Sequence, residues 1–121
     1  MEQAMNDREL LELAARAAGH VVRWHDDTLT HGPAFTIEDT ENPYVFKIWN
    51  PLTDDGDALR LAVKRGLVVT PDRENQRTLV SNQAGYEYCA IYWDKLGEMA
   101  ATRLAITEAA AEIGKSMGGW E

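Results

Sequence analysis

Cysteine is nearly absent from this chain: Cys89 is the single one in 121 residues. No internal disulfide can close, and no cysteine-rich zinc site can be built. Long apolar runs are missing too, since none approaches the roughly 18 residues that a membrane-spanning helix requires. The start, Met1-Glu2-Gln3-Ala4-Met5-Asn6-Asp7, lacks the basic and apolar segments of a secretory signal. These absences predict a protein of a reducing cytoplasm with no membrane partner. Positive charge is also scarce. Twelve Lys+Arg stand against twenty Asp+Glu, a formal net charge of -8, so phosphate backbones are repelled on average and direct nucleic-acid binding is not expected. The two basic groups, Arg60, Lys64, Arg65 and Arg73, Arg77, are not interleaved with aromatic residues as a single-strand binder would be.

What is present reads as one small domain of the α+β class. This length can bury a real core without staples. Asn6-Asp7-Arg8-Glu9 has the form of a capping box and leads into Leu10, Leu13, Ala14 and Ala17 at helical spacing, predicting a helix over 7–18 that Gly19 ends. Val21-Val22-Arg23-Trp24, Phe35-Thr36-Ile37-Glu38 and the stretch 44–49 read as three strands, broken by turns at 25–33 and 40–43. Thr53 or Asp54 caps a second helix that stops at Gly66. Leu67-Val68-Val69-Thr70 is a short extension, residues 71–77 form a polar, mobile loop, and Thr78-Leu79-Val80 is a minor strand. The run 86–93 carries the strongest β signal and predicts a central strand. A last helix over 98–116 places Met99, Ile106, Ala110, Ile113 and Met117 on one stripe and ends at Gly118-Gly119. The order predicts an antiparallel or mixed sheet of about four to five strands sandwiched between helices.

The densest signal is Trp49-Asn50-Pro51-Leu52-Thr53-Asp54-Asp55-Gly56-Asp57, a strand end, a turn and a helix start. Asp54, Asp55 and Asp57 are able to act as acid and base or hold a divalent cation, because carboxylates three residues apart share a helix face. Capping and dipole complementarity explain them as well, and that structural reading is preferred. Trp49 beside a proline turn suits a platform for a partner or a flat ligand, against the favoured alternative that it plugs the core. Gly114-Lys115-Ser116 imitates a phosphate-binding loop but falls at a helix C-terminus, where the dipole repels phosphate. His20, His25 and His31 with Asp26 and Asp27 match no metal-ligand spacing. Cys89, in an apolar strand with no cationic sequence neighbour, reads as a buried, inert thiol. No nucleophile-base pair is visible, so a non-enzymatic protein without cofactor or metal is expected.

The run from Trp49 to Lys64, the helix Leu10-Leu11-Glu12-Leu13-Ala14 and the closing segment Ala101-Thr102-Arg103-Leu104-Ala105-Ile106-Thr107-Glu108-Ala109-Ala110-Ala111-Glu112-Ile113-Gly114 resemble the phage ABA-sandwich domain family. The resemblance covers nearly the whole chain. It implies a sheet between helices and a phage or prophage origin, hence a bacterial cytoplasm, and it supplies no catalytic residues. The expected function is therefore a phage or prophage accessory protein that binds a host protein, such as a nucleic-acid-binding component of a CRISPR defence. An acidic surface suits a cationic groove, and the clusters Glu38, Asp39, Glu41 and Glu108, Glu112 are its natural contacts. The alternative is a pocket for a nucleotide-type ligand between the sheet and the 49–57 turn, with Arg73 and Arg77 offsetting the acidic turn. The polar segment 72–83 is where this chain departs most from the family. The alanine-rich last helix also permits a homodimer.

Overall fold

Asn6 starts the first helix, α1 (Asp7–Ala18), with the reciprocal cap that its sequence forecasts. The Asn6 side chain accepts from the Glu9 N–H at 2.9 Å, and the Glu9 carboxylate accepts from the Asn6 N–H at 3.2 Å. The computed structural model describes residues 5–38, 41–42 and 44–117. Gly19 and Gly66 both adopt the left-handed conformation that closes a helix. After α1 come β1 (Arg23–His25), β2 (Ala34–Glu38) and β3 (Phe46–Trp49), an antiparallel meander in which Phe35 faces both Trp24 and Trp49. Next are α2 (Asp55–Arg65), β4 (Val68–Asp72), β5 (Arg77–Ser81), β6 (Glu87–Tyr92) and α3 (Glu98–Met117). The β4-β5-β6 strands form a second antiparallel meander.

The α+β class is as expected. The strand count is not: among the described residues there are six strands in two three-stranded sheets, where one sheet of four to five was expected. The reason lies in α3. Its middle is buried on almost every side, with Ala101, Ala105, Ile106, Thr107, Ala109, Ala110, Ala111 and Gly114 all inside. A helix buried all round needs a neighbour on each side. On one side Thr102 bonds Thr78 of β5 through their hydroxyls at 2.6 Å, and the Cys89 thiol of β6 donates to the Ala105 carbonyl at 3.2 Å. On the other side α3 meets α1 and α2. There the Arg103 guanidinium donates to the Leu52 carbonyl at 2.8 Å and to Asp55 at 2.7 Å. Gly114 lies so close to α1 that a Cβ would collide with the Leu13 carbonyl. The first sheet closes the core over α1 and α2 through Phe35, Ile37 and Trp49.

Four further expectations change. Residues 71–77 are not a mobile loop: Pro71 and Asp72 finish β4, a tight turn with Gln76 at φ 57° reverses the chain, and Arg77 opens β5. Polar side chains disguise this hairpin, because its outward positions are exposed and carry no apolar alternation. The 86–93 run is an edge strand, and the supposed minor strand 78–80 is the central one, with Val80 and Thr78 fully buried. Aromatic content reported β-propensity, not position within the sheet. The α3 stripe is carried by alanines, while Met99 and Met117 at its ends are 55% and 50% exposed. Those alanines pack within the chain. Gly118 and Gly119 as the helix stop, Asp39, and the turn residues Thr40 and Pro43 lie outside the described residues.

Candidate functional site

The 49–57 turn is built by its own side chains. Asn50 is the pivot: its Oδ1 accepts from the Leu52 N–H at 2.9 Å, and its carbonyl accepts from the N–H groups of Thr53 and Asp54. Asp54 caps α2, taking the Asp57 N–H at 2.8 Å. Asp57, 6% exposed, accepts from the Asn50 N–H at 2.9 Å with one oxygen and from Arg60 at 2.9 Å with the other. Asp55 is paired with Arg103. Trp49 is 2% exposed, with the His20 ring edge-on at 5.5 Å. The platform reading of Trp49 therefore gives way to the core reading. Asp57 and, more distantly at 3.8 Å, Asp54 share the Arg60 guanidinium, while Asp55 turns to Arg103, so each carboxylate already has a partner within the chain.

Arg73 and Arg77 do not reach this turn. Arg77 is held in the β4-β5 hairpin by Asp72 at 3.0 Å, and Arg73 pairs loosely with Glu98 at 3.5 Å and lies over Trp93. Hydrogen bonds from Asn75 and Arg77 hold the Asp72 carboxyl below its ordinary range, and the same Asp72 contact raises Arg77. Their ion pairs are with Glu98 and Asp72, and among the described residues neither pairs with a carboxylate of the acidic turn.

The cations near the turn come from other elements. Two adjoining hollows of about 460 and 200 Å³ meet at Lys47, Asp57 and Arg60. Lys47 comes from β3, Arg60 and Lys64 from α2, and His20 from the segment after α1. Lys47 and Lys64 make no ion pair among the described residues. Burial first, then the Lys64 charge, lowers the pKa of His20; Lys47 acts in the same sense and Asp57 opposes it. Lys47 carries no signal of its own in the sequence, and His20 was weighed there only as a metal ligand, because the two are far apart in the chain and only the fold brings them to one cleft.

A third feature joins β6 to α3. The register of β5 with β6 passes from Val80–Cys89 to Ser81–Glu87, which leaves Tyr88 as the extra residue of a bulge. Consecutive strand residues normally face opposite ways, yet here Tyr86, Tyr88 and Cys89 all line one hollow of about 310 Å³ together with Glu108 and Glu112. The two tyrosine rings meet edge to face at 5.1 Å. Neither glutamate has a cationic partner among the described residues. Burial and the neighbouring Glu112 charge raise the pKa of Glu108, and burial pushes the Cys89 thiol up to about 12, helped by Glu108, Glu87 and Glu112. The sequence offered the Glu108 and Glu112 pair at helical spacing and the tyrosines at strand spacing. It did not say that they share a pocket.

A shallow trough of about 790 Å³ along α1, lined by Glu9, Glu12, Arg16 and His20, is wider than any of these but mixes charges without convergence. No known protein family, curated protein or solved structure matches the chain. The resemblance to the phage ABA-sandwich domain family rests on its motifs alone.

Proposed function

We propose that this chain is a non-enzymatic phage or prophage accessory protein that binds a basic surface of a host protein, the target class being a nucleic-acid-binding defence component such as one of a CRISPR system. The observation that carries the reading is the pocket of Tyr86, Tyr88, Glu108 and Glu112. Two unpaired carboxylates beside two ring faces suit a protonated lysine or arginine side chain, which gains ion pairing and cation-π contact at once. The like-charge pair is relieved when a cation enters between its members. A formal net charge of -8 adds long-range attraction to a basic partner and speeds encounter. The origin and the target class come from the family resemblance and the charge.

The test is affinity capture of tagged protein from a bacterial host at low and high salt, alongside a Glu108→Lys, Glu112→Lys double variant. The expected result is one reproducible basic partner, bound with an association rate that falls with salt and drops about tenfold or more in the variant. A partner held equally by the variant and indifferent to salt removes the reading.

A further inference from the structure

The cleft beside the 49–57 turn has the opposite chemistry to the acidic pocket and owes nothing to it. In a chain of net charge -8, Lys47, Arg60 and Lys64 from two elements line its connected hollows, with His20 as a further edge. One carboxylate lies at the centre, Asp57, and both its oxygens are already engaged by the Asn50 N–H and by Arg60. Glu38 lines the inner hollow and Asp54 the outer one, the latter 3.8 Å from Arg60. The inner hollow of about 200 Å³ is walled by Trp49, Ile37, Leu61 and Ala18 beneath the cations, which lowers the local dielectric and strengthens their pull on an anion. Lys47 and Lys64, without ion pairs among the described residues, keep their ammonium protons available.

We infer that this cleft binds the phosphate group of a small phosphorylated ligand through Lys47, Lys64 and Arg60, with a hydroxylated, sugar-sized body in the outer hollow. The outer hollow, about 460 Å³, presents Asn50, Thr53 and Asp54, all able to hydrogen-bond hydroxyls. Its combined size with the inner hollow lies within the range of small-ligand sites. It offers no stacking plate for a nucleobase, since Trp49 is inside the core and the only ring at its rim among the described residues is the exposed imidazole of His31. The recognition is thus of phosphate and hydroxyls, not of a base. A bound phosphate also compensates the two lysine charges that disfavour protonation of His20, so the imidazole reports on occupancy.

The experiment is an NMR titration of the full chain, following backbone amides and the His20 ring, with ribose 5-phosphate, AMP, inorganic phosphate and unphosphorylated ribose as probes. Ribose 5-phosphate and AMP are expected to shift Lys47, Lys64 and His20 with Kd of about 1 mM or below and within about threefold of each other. Inorganic phosphate should bind about tenfold more weakly and ribose not at all. A Lys47→Gln, Lys64→Gln double variant, at two exposed positions, should weaken ribose 5-phosphate at least about tenfold with unchanged thermal unfolding. Absence of shifts at about 10 mM, or binding undiminished in the double variant, overturns the site. AMP binding more than about tenfold tighter than ribose 5-phosphate overturns the assignment of the outer hollow to a sugar-sized body.

Discussion

The 49–57 turn and the pocket of Tyr86, Tyr88, Glu108 and Glu112 are made of the same materials, aromatic rings beside carboxylates, in opposite states of use. At the turn, Trp49 is buried and each of Asp54, Asp55 and Asp57 has a partner within the chain. In the pocket, the rings and both glutamates line one open hollow, and neither glutamate has a cationic partner among the described residues. The difference shows that conspicuous residue types mark a site only when the fold leaves their valence unspent. A motif dense enough to be noticed in a short stretch is dense because its members bond one another. Groups with spare capacity are scattered along the chain, because the fold alone brings them together.

That contrast predicts that the turn breaks stability and the pocket breaks binding. The largest effect is expected for Trp49→Ala, which empties the core beneath the first sheet and should cost about 3–5 kcal/mol in urea unfolding. A loss under about 1 kcal/mol would return Trp49 to the surface. Gly114→Ala sets a scale for the α1–α3 contact, since its Cβ meets the Leu13 backbone, and should cost about 3 kcal/mol. Asp57→Ala leaves the Asn50 N–H without its acceptor and should cost about 2 kcal/mol. At the pocket, Cys89 with a pKa near 12 holds about a thousandth of the thiolate of an ordinary cysteine. Reaction with a disulfide reagent at pH 8 should therefore be slow in the native protein and fast once unfolded. The smallest effect belongs to Glu108→Gln. The folded state raises the pKa of this carboxyl, so it binds more protons than the unfolded chain as pH rises from 4.5 through the folded value, and stability falls across that window. Removing the group should flatten this slope and gain at most about 0.5 kcal/mol at neutral pH, given its partial exposure. The same change should weaken capture of a basic partner. An unchanged capture with a large stability loss would invert the comparison.

The local signals were legible where the physics is local. The Asn6 cap, the Gly19 and Gly66 stops and the Asp54 cap were readable because each is set by a few neighbouring residues. The β4-β5 hairpin was not, since Asp72, Asn75 and Arg77 fix it with polar contacts that resemble a solvated loop. The place of β6 at the edge was also hidden. Val80 and Thr78 had no stronger signature than the tyrosines, and strand order follows from what α3 packs on. Of the candidate site, Trp49 was noticed and lies in the core, and the three aspartates were noticed and each has a partner within the chain. Glu108 and Glu112 were noticed only as charge, His20 only as a rejected metal ligand, and Lys47 not at all.

By itself the sequence determined the α+β class, the helix boundaries and the acid excess, because capping, period and composition act over a few residues or over the whole chain. The tertiary structure decided that a central helix needs a sheet on one side and helices on the other. It also decided that Tyr86, Tyr88 and Cys89 line one hollow with Glu108, and that two lysines share a cleft with Asp57. Those juxtapositions depend on contacts between residues tens of positions apart, which no local propensity encodes.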